Sequence, residues 1–373
     1  MSTGPDNVHD IILEARGITK RFGQPANFMR PSTLVHAVSA VSLAVRRGET
    51  LAIVGESGCG KSTLGRLLLR LVEPTSGTVH YEGQEITALG QRKMRALRRE
   101  LQIIFQDPFA SLNPRMTVRQ ILAEPIRLHK LAAGKDVEDR VDQLMRTVGL
   151  RADWSDRYVH EFSGGQRQRI GIARALAGDP KLVIGDEPVS ALDVSIQAQV
   201  VNLLGELKDD FGLTLVIVAH DLAVIRHMSD RVAVMYLGEV VELAAADDIY
   251  DAPLHPYTSA LLQAIPVSDP AERGQRQLLQ GDLPSPTAPP SGCRFHTRCP
   301  HAKPRCSQEH PALEAVGDGR HVACHFWREI QSAGVSAPAA SARREKLNLR
   351  LGLYRAKQAE KKQTRLPELS GSK

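Results

Sequence analysis

The chain has 373 residues, of which 42% are hydrophobic and 24% charged, with five cysteines; that balance belongs to an ordinary soluble globular protein and excludes a collagen-like, disulfide-scaffold or wholly disordered chain. The formal net charge of +6 sits at one end, because residues 341–373 carry ten Lys/Arg and three Asp/Glu and leave 38 basic and 39 acidic residues for the rest. The body is therefore neutral, with no electrostatic footprint for phosphate backbones, and nucleic acid is not expected as a partner.

The opening MSTGPDNVHD carries acidic residues and no apolar run, unlike a secretory signal. No stretch approaches the roughly 18 unbroken apolar residues of a membrane span, so a cytoplasmic location is expected. From Ile11 short apolar runs alternate with helical patterns, the rhythm of an α/β protein. Residues 24–31 read as a loop insertion, and strand-like alternation resumes over 35–45. A polar region follows over about 82–99, and helical periodicity dominates 116–149. Ile196, Val200, Leu203, Leu204 and Leu207 put one apolar stripe on a helix, and residues 213–219 read as a fully buried strand. After Pro266 the composition shifts: 268–291 is polar and Pro-rich, 292–327 is a Cys/His/Pro-rich unit, and 332–340 is an Ala/Ser segment before the basic tail. There is no internal repeat.

Three short motifs carry chemistry. Gly55-Glu-Ser57-Gly58-Cys59-Gly60-Lys61-Ser62-Thr63 fits the phosphate-loop pattern, with the apolar run 51–54 before it and Leu64, Leu67, Leu68 and Leu71 at helical spacing after it. Glycines let successive N–H groups point at phosphate oxygens, and the helix N-terminus adds partial positive charge. Lys61 would reach the β- and γ-phosphates and the Ser62 hydroxyl would ligate Mg²⁺. A bare Gly-rich turn is the alternative, and the strand–loop–helix context argues against it. Leu182-Val-Ile-Gly-Asp186-Glu187 is an apolar strand ending in two carboxylates. Asp186 would hold the Mg²⁺ water shell and Glu187 would polarise an attacking water. Standing alone, the pair would read as solvated acids at a strand end. Ser163-Gly164-Gly165-Gln166, after Phe162 and before an apolar helix face, is a second anion-binding nest or, in the plainer reading, a helix N-cap at Ser163. Two nests exceed the need of one nucleotide unless two chains share it.

Together these residues resemble the ATP-binding subunit of an ABC transporter over residues 11–327, and the motif order matches throughout. Phe162–Gln166 resembles the family's signature, with Phe in place of the usual Leu. Gln106 in Ile104-Phe-Gln-Asp-Pro108 resembles the Q-loop glutamine, Ser190-Ala-Leu-Asp193 the D-loop, and His220 the switch histidine. Phe22 stands where the family stacks an aromatic on adenine. The resemblance implies an α/β P-loop NTPase fold of the ABC type, with an inserted α-helical subdomain and a small Cys-rich irregular C-terminal extension. It implies an ATP-binding domain over 11–265 (helical subdomain about 108–160), the extension over 266–330, and a basic flexible tail over 331–373. It implies catalysis by Glu187, His220 and Gln106, and ATP contacts from Phe22, the phosphate-loop residues and, across a dimer, the partner's Ser163, Gly164, Gly165 and Gln166. Mg²⁺ would be held by Ser62, Gln106 and Asp186.

Within the family, residues 105–115, 220–226 and 255–262 look like the ATPases of dipeptide, oligopeptide and nickel importers. The implied partners are a second ATPase subunit of a different chain, two membrane permeases and, indirectly, a solute-binding protein, with the chain peripheral on the cytoplasmic face of the inner membrane. Peptide is the expected solute, with nickel or another small solute as the alternative. A soluble ABC ATPase and an exporter ATPase fit less well: the first usually carries two nucleotide modules in one chain, the second lacks the 292–327 extension. A GTPase or small-molecule kinase would need motifs that are missing. Cys59 reads as a small filler inside the loop. Cys293, Cys299, Cys306 and Cys324 cluster in one module, and in a cytoplasmic chain clustered thiols suggest metal. Their spacing fits neither zinc-ribbon pairs nor a ferredoxin run. Relatives with this extension are associated with a [4Fe–4S] cluster; zinc and reduced structural thiols stay open. His296, His301, His310, His321 and His325 read as solvated loop histidines, and the basic tail as a solubilising segment rather than a lipid anchor.

Overall fold

A computed structural model describes residues 10–23, 34–226, 228–265, 281–317 and 319–332. The expected loop insertion, the first part of the polar linker and the basic tail lie outside the described residues. In chain order the strands are β1 (Ile11–Phe22), β2 (Val35–Arg46), β3 (Thr50–Val54), β4 (Ser76–Tyr81), β5 (Gln84–Glu85), β6 (Leu101–Ile104), β7 (Leu182–Asp186), β8 (Thr214–Ala219), β9 (Arg231–Tyr236), β10 (Glu239–Ala245), β11 (Glu314–Gly317) and β12 (Arg320–Val322). The helices are α1 (Lys61–Leu68), α2 (Gln91–Leu97), α3 (Pro108–Ser111), α4 (Val118–Leu128), α5 (Asp136–Thr147), α6 (Gly164–Leu176), α7 (Val194–Phe211), α8 (Leu222–Ile225), α9 (Ala246–Asp251), α10 (Pro256–Ala264), α11 (Pro304–Gln308) and α12 (Trp327–Ser332).

Two sheets organise the chain. An antiparallel sheet runs β2-β1-β4-β5, and an eight-stranded sheet runs β11-β12-β10-β9-β3-β8-β7-β6. Strands β3, β7 and β8 are buried at every position, as parallel strands covered on both faces must be. Their period of two divides them between two cores. Ala52 and Val54 of β3, with Leu215, Ile217 and Ala219 of β8, face the core built with α4 to α7. Leu51 and Ile53, with Val216 and Val218, face the core under the antiparallel sheet.

Helix ends follow local chemistry. Thr117 and Gln120 form a capping box at α4, and Asp193 caps α7 by accepting from the Ile196 N–H at 3.0 Å. Helix α7 ends at Gly212 in the left-handed region, φ 63°. The apolar stripe expected there is buried at Val200, Leu203, Leu204 and Leu207. The region read only as polar contains β5 and α2; Met94 is the one buried residue of α2, too little apolar repeat to give a period. Helices α4 and α5 occupy the stretch of helical periodicity. Among the described residues no helix is long and apolar enough to cross a membrane.

Strands β3, β8, β7 and β6 are parallel neighbours. Their C-terminal ends therefore emerge along one edge of the sheet, where ligands of open α/β sheets bind. Residues 55, 187 and 220 follow directly from those ends, and 106 lies two residues past the end of β6.

Candidate functional site

The loop between β3 and α1 turns on glycines in conformations side chains avoid. Gly60 has φ 104° at the helix N-cap, and a Cβ there would meet the Ala37 carbonyl oxygen at 2.1 Å; one on Gly55 would meet that of Met235 at 2.1 Å. Carbonyls of β2 and β9 thus press on the loop from both sides. Cys59 is buried in the loop, and burial pushes its thiol up. Ser57 and Gly58 are exposed, and Ser62 and Thr63 are half-buried in the first turn of α1. Lys61 is buried, its Nζ donating to the carbonyls of Gly55 and Glu56 at 2.9 Å each. These oxygens hold the ammonium at the mouth of the loop.

Asp186 closes β7 and is 2% exposed; one carboxylate oxygen accepts from Arg66 at 3.3 Å, while Oδ1 is buried without a partner. Ser62 and Arg66 are four residues apart and share a face of α1, so the Asp186 carboxylate faces the side of the helix that carries Ser62. A buried anionic oxygen without a donor suits a hydrated divalent cation. Arg66 was not singled out in the sequence, because a basic residue on a helix surface carries no spacing signal.

Glu187 adopts φ 46°, a conformation that costs a residue with a side chain on the order of 1 kcal/mol. Its N–H donates to the Val218 carbonyl at 3.0 Å, tying the turn to β8. Its carboxylate accepts from Gln106 Nε2 at 2.9 Å and lies 3.7 Å from His220 Nδ1. Gln106 and His220, 81 positions before and 33 after Glu187, thus converge on one of its oxygens.

At the start of α6 the Ser163 N–H donates to Gln166 Oε1 at 3.0 Å, and the Gln166 N–H donates to Ser163 Oγ at 3.4 Å. The plainer reading, an N-cap, is what a single chain makes of this motif. Gly165 is required by packing, since a Cβ would approach Ile196 of α7 to 2.6 Å. Phe162 is buried, edge-on to Trp154 at 6.2 Å. Phe22, at the end of β1, is 41% exposed with Lys20 Nζ 5.0 Å above its ring. It pairs with Val35 of β2, two residues before the Ala37 that abuts Gly60.

Cys293, Cys299, Cys306 and Cys324 line one cavity with Phe295 and His255. All four are free thiols. Burial pushes Cys293 up, Cys299 up to about 12 and Cys324 up to about 11, and the neighbouring thiols add to each shift. Among the described residues no group of three or more His, Cys, Asp or Glu side chains is disposed to hold a metal ion. The expected iron–sulfur or zinc site therefore gains no ready-formed ligand group. Three of the histidines read as solvated also bond to protein while staying at least partly exposed: His296 to the Cys293 carbonyl, His325 to the Glu309 carbonyl and His310 to Glu239.

Sequence reasoning missed the residues that join this module to the phosphate loop. Arg298 forms a two-pronged bridge to Glu56 at 2.6 and 3.0 Å, and Tyr257 Oη accepts from the Glu56 N–H at 2.8 Å. No local pattern could flag a contact 242 residues distant.

The residues 38–190 match the model of the ABC transporter family, and 241–306 match that of the oligopeptide/dipeptide transporter C-terminal region. The oligopeptide transport ATP-binding protein AppF of Bacillus subtilis is 52% identical over 324 residues, 85% of this chain and 98% of that protein. The oligopeptide transport ATP-binding protein OppF of Salmonella typhimurium is 56% identical over 301 residues, 80% and 90% of the two chains. Among solved structures, the ATP-binding cassette MJ0796, dimeric in a post-hydrolysis state bound to ADP and Pi, superposes with a TM-score of 0.56 at 28% identity, covering 63% of this chain and 99% of that one. The phosphate loop, the paired carboxylates at the end of β7 and these likenesses agree, and the chain belongs to the ABC transporter family, among the ATP-binding proteins of the oligopeptide/dipeptide branch.

Proposed function

We propose that the chain is the ATP-hydrolysing subunit that energises an ABC importer of di- and oligopeptides at the cytoplasmic face of the inner membrane. The observation that carries hydrolysis is the convergence of Gln106 and His220 on the Glu187 carboxylate, next to a phosphate loop on the same sheet edge. The peptide class rests on the C-terminal match and on the relatives' names, both of which favour it over nickel.

In this reading Lys61 exchanges the Gly55 and Glu56 carbonyls for the β- and γ-phosphates. Glu187 accepts a proton from the attacking water as its oxygen bonds to the γ-phosphorus and the bond to ADP breaks. Gln106 holds the Glu187 carboxylate toward that water, and His220 contacts the γ-phosphate. Ser62, Gln106 and Asp186 would hold Mg²⁺, which when bound neutralises developing phosphate charge; the unpartnered Asp186 Oδ1 fits that role. Ser57, Gly58, Cys59, Gly60 and Thr63 supply the cradle, and Phe22 stacks on adenine. The partner subunit supplies its own copy of the Ser163–Gln166 nest, and each capping box would open its N–H groups to the triphosphate. The ATP-binding domain spans 11–265. Helices α3 to α5, within 108–160, form the subdomain that meets a permease fed by a solute-binding protein, and 266–330 and 331–373 form the extension and tail.

The [4Fe–4S] reading of the four thiols rests on their sharing one cavity. A cluster spreads its thiolates more widely than one ion does, so the lack of a single-ion group weighs more against zinc. The cluster would have to displace protons that burial holds on the thiols. Protein purified without oxygen that shows neither bound iron nor a cluster's visible absorbance overturns this part.

The whole is tested in the assembled complex: ATP turnover stimulated by a peptide-loaded binding protein is the expected result, and stimulation by a nickel-loaded one alone would replace peptide with metal.

A further inference from the structure

The phosphate loop carries an acid of its own. Glu56 is the second loop residue, so its carboxylate is carried on the same loop that would wrap a triphosphate. A bare carboxylate on that loop would repel an anionic ligand by simple Coulomb interaction. Yet the carboxylate is not bare. Arg298, whose side chain is only 6% exposed, grips both oxygens. The guanidinium is braced 5.9 Å from the Tyr236 ring. Tyr236 packs on Tyr257 and Phe295 with ring centroids 4.7 and 5.2 Å away. Tyr257 in turn accepts from the Glu56 N–H, and the Glu56 carbonyl holds Lys61. All three polar groups of Glu56 are thus engaged, two of them by residues from beyond position 250.

We infer that Arg298, from the cysteine-rich module, is a positioning residue for ATP binding: it neutralises Glu56 and fixes the first turn of the phosphate loop. This deepens the ATPase reading and rests on it. The two-pronged geometry gives direction as well as charge, which a lysine would not reproduce. Removing the cation alone would strand a carboxylate beside the triphosphate, the costly half of a broken pair. Removing both charges would relieve that repulsion.

The test measures ATP affinity of the full chain by equilibrium binding, with melting temperature as a check on folding. Arg298→Met is expected to weaken ATP at least tenfold while kcat at saturating ATP changes less. Arg298→Met combined with Glu56→Gln is expected to recover most of the loss. Arg298→Lys is expected to fall between, and it carries the test if the methionine variant does not fold. A parent-like Kd in Arg298→Met, or in Arg298→Lys where that variant stands in, overturns the inference. So does a loss that the double variant fails to recover, since a purely structural anchor would not be repaired by neutralising its partner. If the parent chain itself binds no ATP, and Lys61→Ala is indistinguishable from it, the ATPase reading fails instead.

Discussion

The phosphate loop and the cysteine-rich module are both built largely from irregular backbone, yet they are held in opposite ways. The turn of the loop is set mainly by its own glycines between a buried strand and a helix, with carbonyls of β2 and β9 packed against them and only Glu56 tied from afar, by Arg298 and Tyr257. The module is fixed by cations reaching across the fold. Arg294 bonds Glu239 at 2.9 Å and Ser39 at 3.0 Å, and also the Leu237 carbonyl; Arg298 clamps Glu56; Arg320 reaches the Ala252 carbonyl. Strand β12 adds its pairing with β10. A site whose geometry is local can be found from a motif. One whose geometry is long-range depends on pairs that the sequence does not mark.

The largest effects should come from breaking the local side. Glu187→Gln keeps the shape of the site and removes the proposed base, so ATP should still bind and hold two subunits together while turnover falls by about 100-fold or more. Near-normal phosphate release by that variant in the assembled complex would remove Glu187 from the mechanism. Gly60→Ala should be next. The added methyl meets the Ala37 carbonyl at a conformation of φ 104°, and relief requires the loop to move. ATP binding should fall by about 10- to 100-fold, on the scale of losing one or two charge-assisted hydrogen bonds. Unchanged binding in equilibrium titration would mean that the cradle tolerates other shapes.

Legibility follows the same division. The motif Gly55–Thr63, the pair Asp186 and Glu187, and the strand character of β3, β7 and β8 were readable because each is a contiguous pattern of few residue types. Gln106 and His220 were placed by order along the chain, and parallel pairing brought them to one sheet edge. What the motif at Ser163 does in a single chain, a closed capping box, was visible only as the plainer alternative. Arg66 beside Asp186 and Arg298 beside Glu56 were not readable, because an arginine on a helix or in a loop looks the same whether or not it meets an acid.

On the long-range side, Arg294→Met should loosen the module. It removes charge-assisted hydrogen bonds from a mostly buried guanidinium, worth about 2 kcal/mol in total once His310 has kept part of the Glu239 interaction. Hydrogen exchange is the sharper measurement. Faster exchange confined to residues 292–332, with α6 and β7 unchanged, is the expected pattern; a uniform rise would mean the module and the sheet unfold as one unit.

The last effect concerns acid, and it vanishes at neutral pH. His255 caps α10 by accepting from the Tyr257 N–H at 3.1 Å through Nδ1, and it is buried. Burial pushes its pKa down to about 3, against about 6.5 in an unfolded chain. Protonation would turn the accepting nitrogen into a donor facing another donor. The unfolded state therefore binds the extra proton first, so this residue's contribution is intact above about pH 6.5 and is lost as pH falls toward 3. The slope over that window is at most about 1.4 kcal/mol per pH unit. Glu242, which accepts from the Leu254 and His255 N–H groups, has its carboxyl pushed up by burial and works in the opposite sense. Comparing the parent with His255→Asn separates the two, because asparagine keeps a capping oxygen without a titrating ring. Denaturant midpoints measured from pH 7 to pH 4.5 should converge between parent and variant as the pH drops. Parallel curves would mean that the imidazole takes its proton without disturbing the cap, and that the Tyr257 anchor on the phosphate loop is insensitive to acid.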